Sequence, residues 1–393
     1  MINERMLALG KEPSAIRKLY AYGLQRAAEI GAENVYDLSI GNPSIPAPEE
    51  VQQRMHELAD MSPLDVHGYT MAAGQYRVRE VVANNLKRRF GIPATADQVY
   101  MTTGATAALA ISIAAITNPG DNVIVPSPFF PEYRTLIESV GCTLIPVPMT
   151  VPDFQLDIEA IGAAITEATS AVIVNSPNNP VGCVYAEENI KALAALLEEK
   201  QKEFGHPIYI ISDEPYREIT YGIEVPFTAN YYTNTIVCYS WAKSLSLPGE
   251  RIGYIYVSDN IENAADVFAA VAGAGRALGY ICATSTYQYV IETCIDCPTN
   301  VEAYAQNRKL LTEGLDELGY QYVAPDGAFY LWVKALEDDA QAFSDKAKEH
   351  DLLVVASDSF GMTGWVRCSY CVAPETIKGS MKAWAALKAD YEA

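Results

Sequence analysis

The chain has 393 residues, half of them apolar, which is material for about two or three domains with real cores and excludes a disordered or collagen-like chain. Its 49 acidic residues against 28 basic ones give a formal net charge of -21, which excludes nucleic acid as a partner because its phosphates would be repelled. No apolar run reaches the roughly 18–20 residues that span a bilayer, and Met1-Ile2-Asn3-Glu4-Arg5-Met6 lacks an apolar signal core, so the expectation is a cytoplasmic protein with no membrane partner.

In chain order, the first fifty or so residues read as one helix, then Leu38–Gly41, then a proline-rich run from Asn42 to Pro48. Pro48 suits the first turn of a helix that carries Val51, Met55 and Leu58 on one face. The middle of the chain alternates apolar strands with amphipathic helices. The strands are Gln98–Thr102, Asn122–Pro126, Ala171–Asn175, Pro207–Asp213, Thr235–Ser240 and Arg251–Val257. The helices are Ala105–Ile116, Pro131–Val140, Glu187–Phe204 and Ile261–Ala272. Such alternation predicts an α/β fold with a mostly parallel sheet covered on both faces, and a ligand at the carboxyl ends of the strands. Beyond about residue 290 come a helix over Thr299–Leu318, strands at Ala328–Val333, Leu352–Ala356 and Trp365–Tyr370, and a last helix over Glu375–Tyr391. This end reads as a smaller α+β domain completed by the N-terminal segment. The expected division is 1–47 as N-terminal arm and part of the small domain, 48–290 as the large domain, and 291–393 as the small domain.

The eight cysteines include two CxxC pairs, Cys294/Cys297 and Cys368/Cys371. The pairs lie about seventy residues apart, far beyond a zinc-ribbon gap. Cys368 and Cys371 fall in a strand-like stretch, where positions i and i+3 face opposite sides. The four histidines show no metal-type spacing either. Free thiols in a reducing cytosol, with no metal, are the expectation.

Four features fall at predicted strand ends. Thr102-Thr103-Gly104-Ala105-Thr106 leads from a strand into a helix, and small residues at a helix start let backbone N–H groups approach a phosphate. No GxGxxG is present to support a dinucleotide site. Asn175-Ser176-Pro177-Asn178-Asn179-Pro180-Val181-Gly182 fixes a turn that projects polar side chains. In Ile210-Ile211-Ser212-Asp213-Glu214-Pro215-Tyr216, Asp213 closes an apolar strand, where a carboxylate calls for a cationic partner, and Tyr216 offers a phenol nearby. In Ser240-Trp241-Ala242-Lys243-Ser244-Leu245, Lys243 sits among apolar neighbours that favour a lowered pKa and attack on an aldehyde, and Arg251 follows as a forked phosphate donor. Each of these features alone also fits an ordinary turn, cap or surface charge. Their spacing joins them: Asn179, Asp213 and Lys243 are each about one strand–helix unit apart, so all converge on one edge of the sheet. A phosphorylated pyridine aldehyde would use every one of these groups.

With these residues the chain resembles the class I/II aminotransferases, pyridoxal-phosphate enzymes of fold-type I, from about Leu38 to Arg367. The resemblance rests on Ser240-x-x-Lys243 followed by Arg251, with Asn179-Pro180-x-Gly182 and Asp213-x-x-Tyr216 upstream. It implies a large domain with a mostly parallel seven-stranded sheet, a smaller α+β domain and pyridoxal 5'-phosphate as cofactor. It further implies that Lys243 forms the internal aldimine and shuttles the substrate proton, that Asp213 pairs with the pyridine nitrogen, and that Tyr216 and Asn179 hydrogen-bond the ring oxygen. Gly104, Ala105, Thr106, Ser240 and Arg251 would hold the phosphate, and Phe130, chosen over Phe129, would stack on the ring. Tyr69, in Gly68-Tyr69-Thr70-x-x-x-Gly74, would reach the phosphate of a partner subunit, which requires a homodimer. Gly41, Asn179 and Arg367 would bind the substrate carboxylate; for Arg367 the alternative is an internal Asp or Glu partner.

The implied reaction is a ping-pong transfer of an amino group between an L-amino acid and a 2-oxo acid. Aspartate, glutamate or aromatic amino acids are the candidate donors. The alternative is a carbon–sulfur β-lyase, which would keep the same cofactor residues. One departure bears on substrate. Thr106 stands where some bacterial aspartate aminotransferases carry a lysine for the distal carboxylate; Arg276 is either its substitute or a surface arginine.

Overall fold

The computed structural model describes residues 2–392. After a two-residue strand, β1 (Tyr36–Asp37), come the strands of the central sheet: β2 (Val99–Thr102), β3 (Asn122–Ser127), β4 (Thr143–Pro148), β5 (Thr169–Asn175), β6 (Tyr209–Asp213), β7 (Thr235–Ser240) and β8 (Gly253–Val257). Their order is β2-β8-β7-β6-β5-β3-β4. All neighbours run parallel except β8, which is antiparallel to both β7 and β2. The mostly parallel seven-stranded sheet is therefore present.

The strands read as continuous apolar runs because both faces are covered. Val123, Val125, Ile173, Ile211 and Ile236 join one core cluster, with Leu109 and Ile111 of the helix Ala105–Ile116. Their neighbours Ile124, Val172, Val174 and Ile210 join the opposite cluster, with Ile190 and Leu193 of the helix Glu187–Phe204. Strand β4 escaped the sequence reading. Its prolines, Pro146 and Pro148, argue against a central strand, and β4 lies at the sheet edge, where proline is tolerated. The N-terminal region holds two helices, Glu4–Lys11 and Ala15–Ile30, where the sequence reading expects one. Pro13 lies between them and disfavours helical geometry in the residue before it.

The rest of the chain adds β9 (Tyr322–Val323), β10 (Tyr330–Lys334), β11 (Leu352–Leu353), β12 (Val355–Ala356) and β13 (Trp365–Ser369). An antiparallel sheet in the order β12-β13-β10-β9 packs with the helices Val301–Glu317 and Pro374–Glu392. β1 pairs in parallel with β11, so the N-terminal segment is stitched to this second unit. Among the described residues no helix is long and apolar enough to cross a membrane.

Register brings the chemistry together. Asn175 of β5 is opposite Asp213 of β6, and Asp213 is opposite Cys238 of β7. The turns that follow these strands carry Asn179, Tyr216 and Lys243 to one edge of the sheet.

Candidate active site

Asp213 ends β6 at 4% exposure. Its Oδ2 accepts from Tyr133 Oη at 2.5 Å and from Asn175 Nδ2 at 3.4 Å, while its Oδ1 is buried with no partner. Burial pushes the Asp213 carboxyl up to about 7, partly opposed by the Tyr133 hydrogen bond. A buried carboxylate with one free oxygen is complementary to an N–H donor that carries positive charge.

Lys243 lies in the four-residue helix Trp241–Ser244 after β7. Ser240 caps that helix, its Oγ accepting from Ala242 N at 3.0 Å. Lys243 Nζ donates to the Gly41 carbonyl at 2.5 Å and lies 5.3 Å from the centre of the Phe329 ring. Burial lowers its pKa to about 8, with Arg367 and Arg251 adding to the fall and Cys371 opposing it. An amine with that pKa is accessible in its neutral, nucleophilic form near neutral pH.

An anion cradle stands beside it. Gly104 precedes the helix Ala105–Ile116 with φ +86, and a Cβ there would lie 3.0 Å from Arg251 Nη2 and be strained in any case. Arg251 is itself held at φ +53, and its Nη1 donates to the Pro248 carbonyl at 3.0 Å. The free N–H groups of the helix start and the guanidinium face the same space.

Arg367, on β13, is buried at 1% exposure. Nη1 donates to Asn179 Oδ1 at 2.9 Å and Nη2 to the Ser39 carbonyl at 2.6 Å, while Nε has no partner. The guanidinium sits 4.5 Å from the Tyr330 ring centre and 5.1 Å from that of Phe360. Its protein acceptors are therefore an amide oxygen and a backbone carbonyl rather than a carboxylate. Tyr216 Oη lies 2.9 Å from Tyr330 Oη, and burial holds the Tyr216 phenol well above its ordinary range.

One cavity of about 240 Å³ is lined by Gly41, Ala105, Thr106, Phe130, Asn179, Asp213, Tyr216, Ser240, Lys243, Arg251 and Arg367. Gly104 borders it through Arg251. Phe129 instead is buried in the core. Tyr69 lies elsewhere, fully exposed, and Arg276 is exposed on the helix Ala264–Ala277. Sequence reasoning passed over Asn175, Tyr133, Ser39 and Tyr330. Asn175 carried a signal, as a polar residue closing an apolar strand; the other three enter through tertiary packing and had none.

The residues fit a phosphorylated, protonatable ring that bears an aldehyde: Asp213 has a free buried oxygen, Lys243 a depressed amine, and Gly104–Arg251 a cradle without room for a side chain. The sequence profile described as "Aminotransferase class I and II" matches residues 33–383. The chain belongs to the class I and II aminotransferase family. It is similar to an amino transferase from Eubacterium rectale of known crystal structure, with 52% identity, full coverage of both chains and a TM-score of 0.97. It is also similar to the aspartate aminotransferase of Thermus thermophilus determined with maleate, at 28% identity over 98% of this chain and 99% of that one, with a TM-score of 0.87. The aspartate aminotransferase of Thermotoga maritima is 29% identical over 351 residues, 88% of this chain and 89% of that protein. The aminotransferase thus uses pyridoxal phosphate as cofactor and moves amino groups between amino acids and 2-oxo acids. These relatives do not favour the carbon–sulfur lyase.

Proposed function

We propose that the amino group changes hands in the cavity between Asp213, Lys243 and Arg367, and that the named side chains divide the work there. The observation that carries this reading is the unpartnered Asp213 Oδ1 in the same cavity as the depressed Lys243 amine. Bound pyridoxal phosphate supplies an aldehyde for amines and a protonated ring that takes up the electron pair left at the amino acid's Cα. Lys243 Nζ anchors the cofactor and, when free, takes the proton from Cα and returns it. Asp213 Oδ1 would accept from the ring N–H and keep that nitrogen charged. Asn179 and Tyr216 would bond the ring oxygen, and Phe130 would stack on the ring. The start of the helix after Gly104, through Ala105 and Thr106, holds the phosphate together with Ser240 and Arg251. Arg367, with Asn179 and Gly41, binds the substrate α-carboxylate.

The aspartate aminotransferases among the relatives support aspartate as donor, glutamate is the other dicarboxylic candidate, and Phe130 and Tyr330 in the cavity wall also suit aromatic donors. Arg276 lines no part of its own chain's cavity, so any contact with a distal carboxylate would have to be made in the site of a second copy.

The working unit in this reading is a homodimer. Tyr69 is exposed and shares a surface hollow with Leu64, and Met71 and Tyr76 a few residues on are exposed too, apolar side chains suited to cover by a second copy, whose phosphate site Tyr69 would enter. Sedimentation equilibrium should report a dimer, and a monomer at micromolar concentration would contradict this part. The role of Lys243 is checked by reducing the holoenzyme with borohydride and mapping its peptides. A pyridoxyl phosphate mass on Lys243 is expected, and the same mass on a different lysine would overturn the assignment.

A further inference from the structure

Ser244 follows Lys243, and its hydroxyl and its carbonyl are both engaged. Its Oγ lies 2.9 Å from Tyr239 Oη, and its carbonyl accepts from Thr299 Oγ1 at 2.9 Å. Tyr239 Oη also donates to Glu218 Oε2 at 2.9 Å, and Glu218 Oε1 accepts from Arg89 Nη1 at 2.7 Å. An ion-paired carboxylate only accepts, so the phenol proton goes to Glu218 and Ser244 must be the donor to the phenol oxygen. Glu218 belongs to the loop that follows Asp213 at the end of β6 and carries Tyr216. The chain of bonds therefore links the turn bearing Lys243 to the loop bearing the other ring contacts.

These bonds add to the turn's own fastening. The helix Trp241–Ser244 has only four residues; Ser240 caps its first end, and at its second end Leu245 N donates to the Trp241 carbonyl at 3.2 Å. Beside the second end lies a separate cavity of about 390 Å³ lined by Arg89, Glu218, Tyr239, Ser244 and Thr299, so on that side Ser244 is held by its hydrogen bonds, while Leu245 next to it is buried in the core.

We infer that Tyr239, Ser244 and Glu218 form a positioning relay that sets Lys243 against the Asp213–Tyr216 loop. The inference rests on the proposed role of Lys243. None of the three touches the cavity that holds Lys243 Nζ; they act through the backbone of residue 244.

The test uses holoenzyme carrying Tyr239→Phe, Ser244→Ala, both together, and Ser244→Thr. Each single change should lower kcat about tenfold with the donor KM nearly unchanged, as expected for a misplaced reacting group. The pH midpoint of the bound cofactor's absorbance change should move away from the wild-type value. The double variant should be no worse than either single one, and Ser244→Thr, which keeps the hydroxyl, should restore kcat. A lower melting temperature with kcat and pH midpoint at wild-type values would overturn the relay. If Tyr239→Phe does not fold, Ser244→Ala, the smaller change, decides the question by the same readouts. Lys243→Ala is run alongside. Turnover that survives in it would remove the underlying reading of Lys243. Loss of turnover there, with wild-type behaviour in the relay variants, would remove the relay alone.

Discussion

A carboxylate at 4% exposure with one oxygen unpaired is unfavourable until a cationic partner arrives, and Asp213 is in that position. The consequence can be read from pH. Burial raises Asp213 from an ordinary 3.8 to about 7, so between those values the native protein binds more protons at this site than the unfolded chain does. Stability from this site is full below pH 3.8 and is lost as pH rises towards 7. The depressed Lys243 has the opposite sign: between about 8 and 10.5 the unfolded chain binds the extra proton and stability rises with pH. Cofactor-free protein should therefore lose stability relative to Asp213→Asn between about pH 4 and 7, by a few kcal/mol in all. Urea unfolding of the two across that range checks this, and parallel curves would contradict it. Lys243, Asp213, Asn179 and Arg251 were legible in the sequence because each stands at a fixed offset from an apolar strand. Tyr133, which bonds Asp213, and Tyr330, which bonds Tyr216, were not, because only the folded chain brings them near.

The elements were legible where burial was two-sided. β5, β6 and β7 are buried at every position, and each reads as an apolar centre with polar residues at its ends. The edge strand β4 is hidden by its prolines. The helix Tyr76–Phe90 has an apolar stripe of Val78, Val82 and Leu86 at helical spacing, but it is diluted by basic neighbours and was passed over. The strand-to-helix turns place the site. Gly104 opens one with a φ that disfavours a side chain, and Ser240 caps the next, so the start of the helix after β2 and the position of Lys243 are set by local geometry. The residues beyond those turns, Ser244 and Glu218, depend on packing between turns, which spacing along the chain does not reveal.

At the scale of the whole molecule, the cavity is assembled from distant parts of the chain. Arg367 on β13 bonds Asn179, which follows β5, and the Ser39 carbonyl near the N-terminus; Lys243 bonds the Gly41 carbonyl. The cavity therefore exists only when the N-terminal segment, the central sheet and the second sheet are docked together. The resemblance gave this arrangement in outline, and the pairing of β1 with β11 supplies its physical basis. The central claim is that a reversible amino transfer takes place there. It is tested most directly by near-ultraviolet and visible spectra of the holoenzyme before and after adding single amino acids. The account predicts that glutamate or aspartate shifts the cofactor band to that of the aminated cofactor and that a 2-oxo acid restores it. A band that stays unchanged while cysteine is broken down to pyruvate would contradict it.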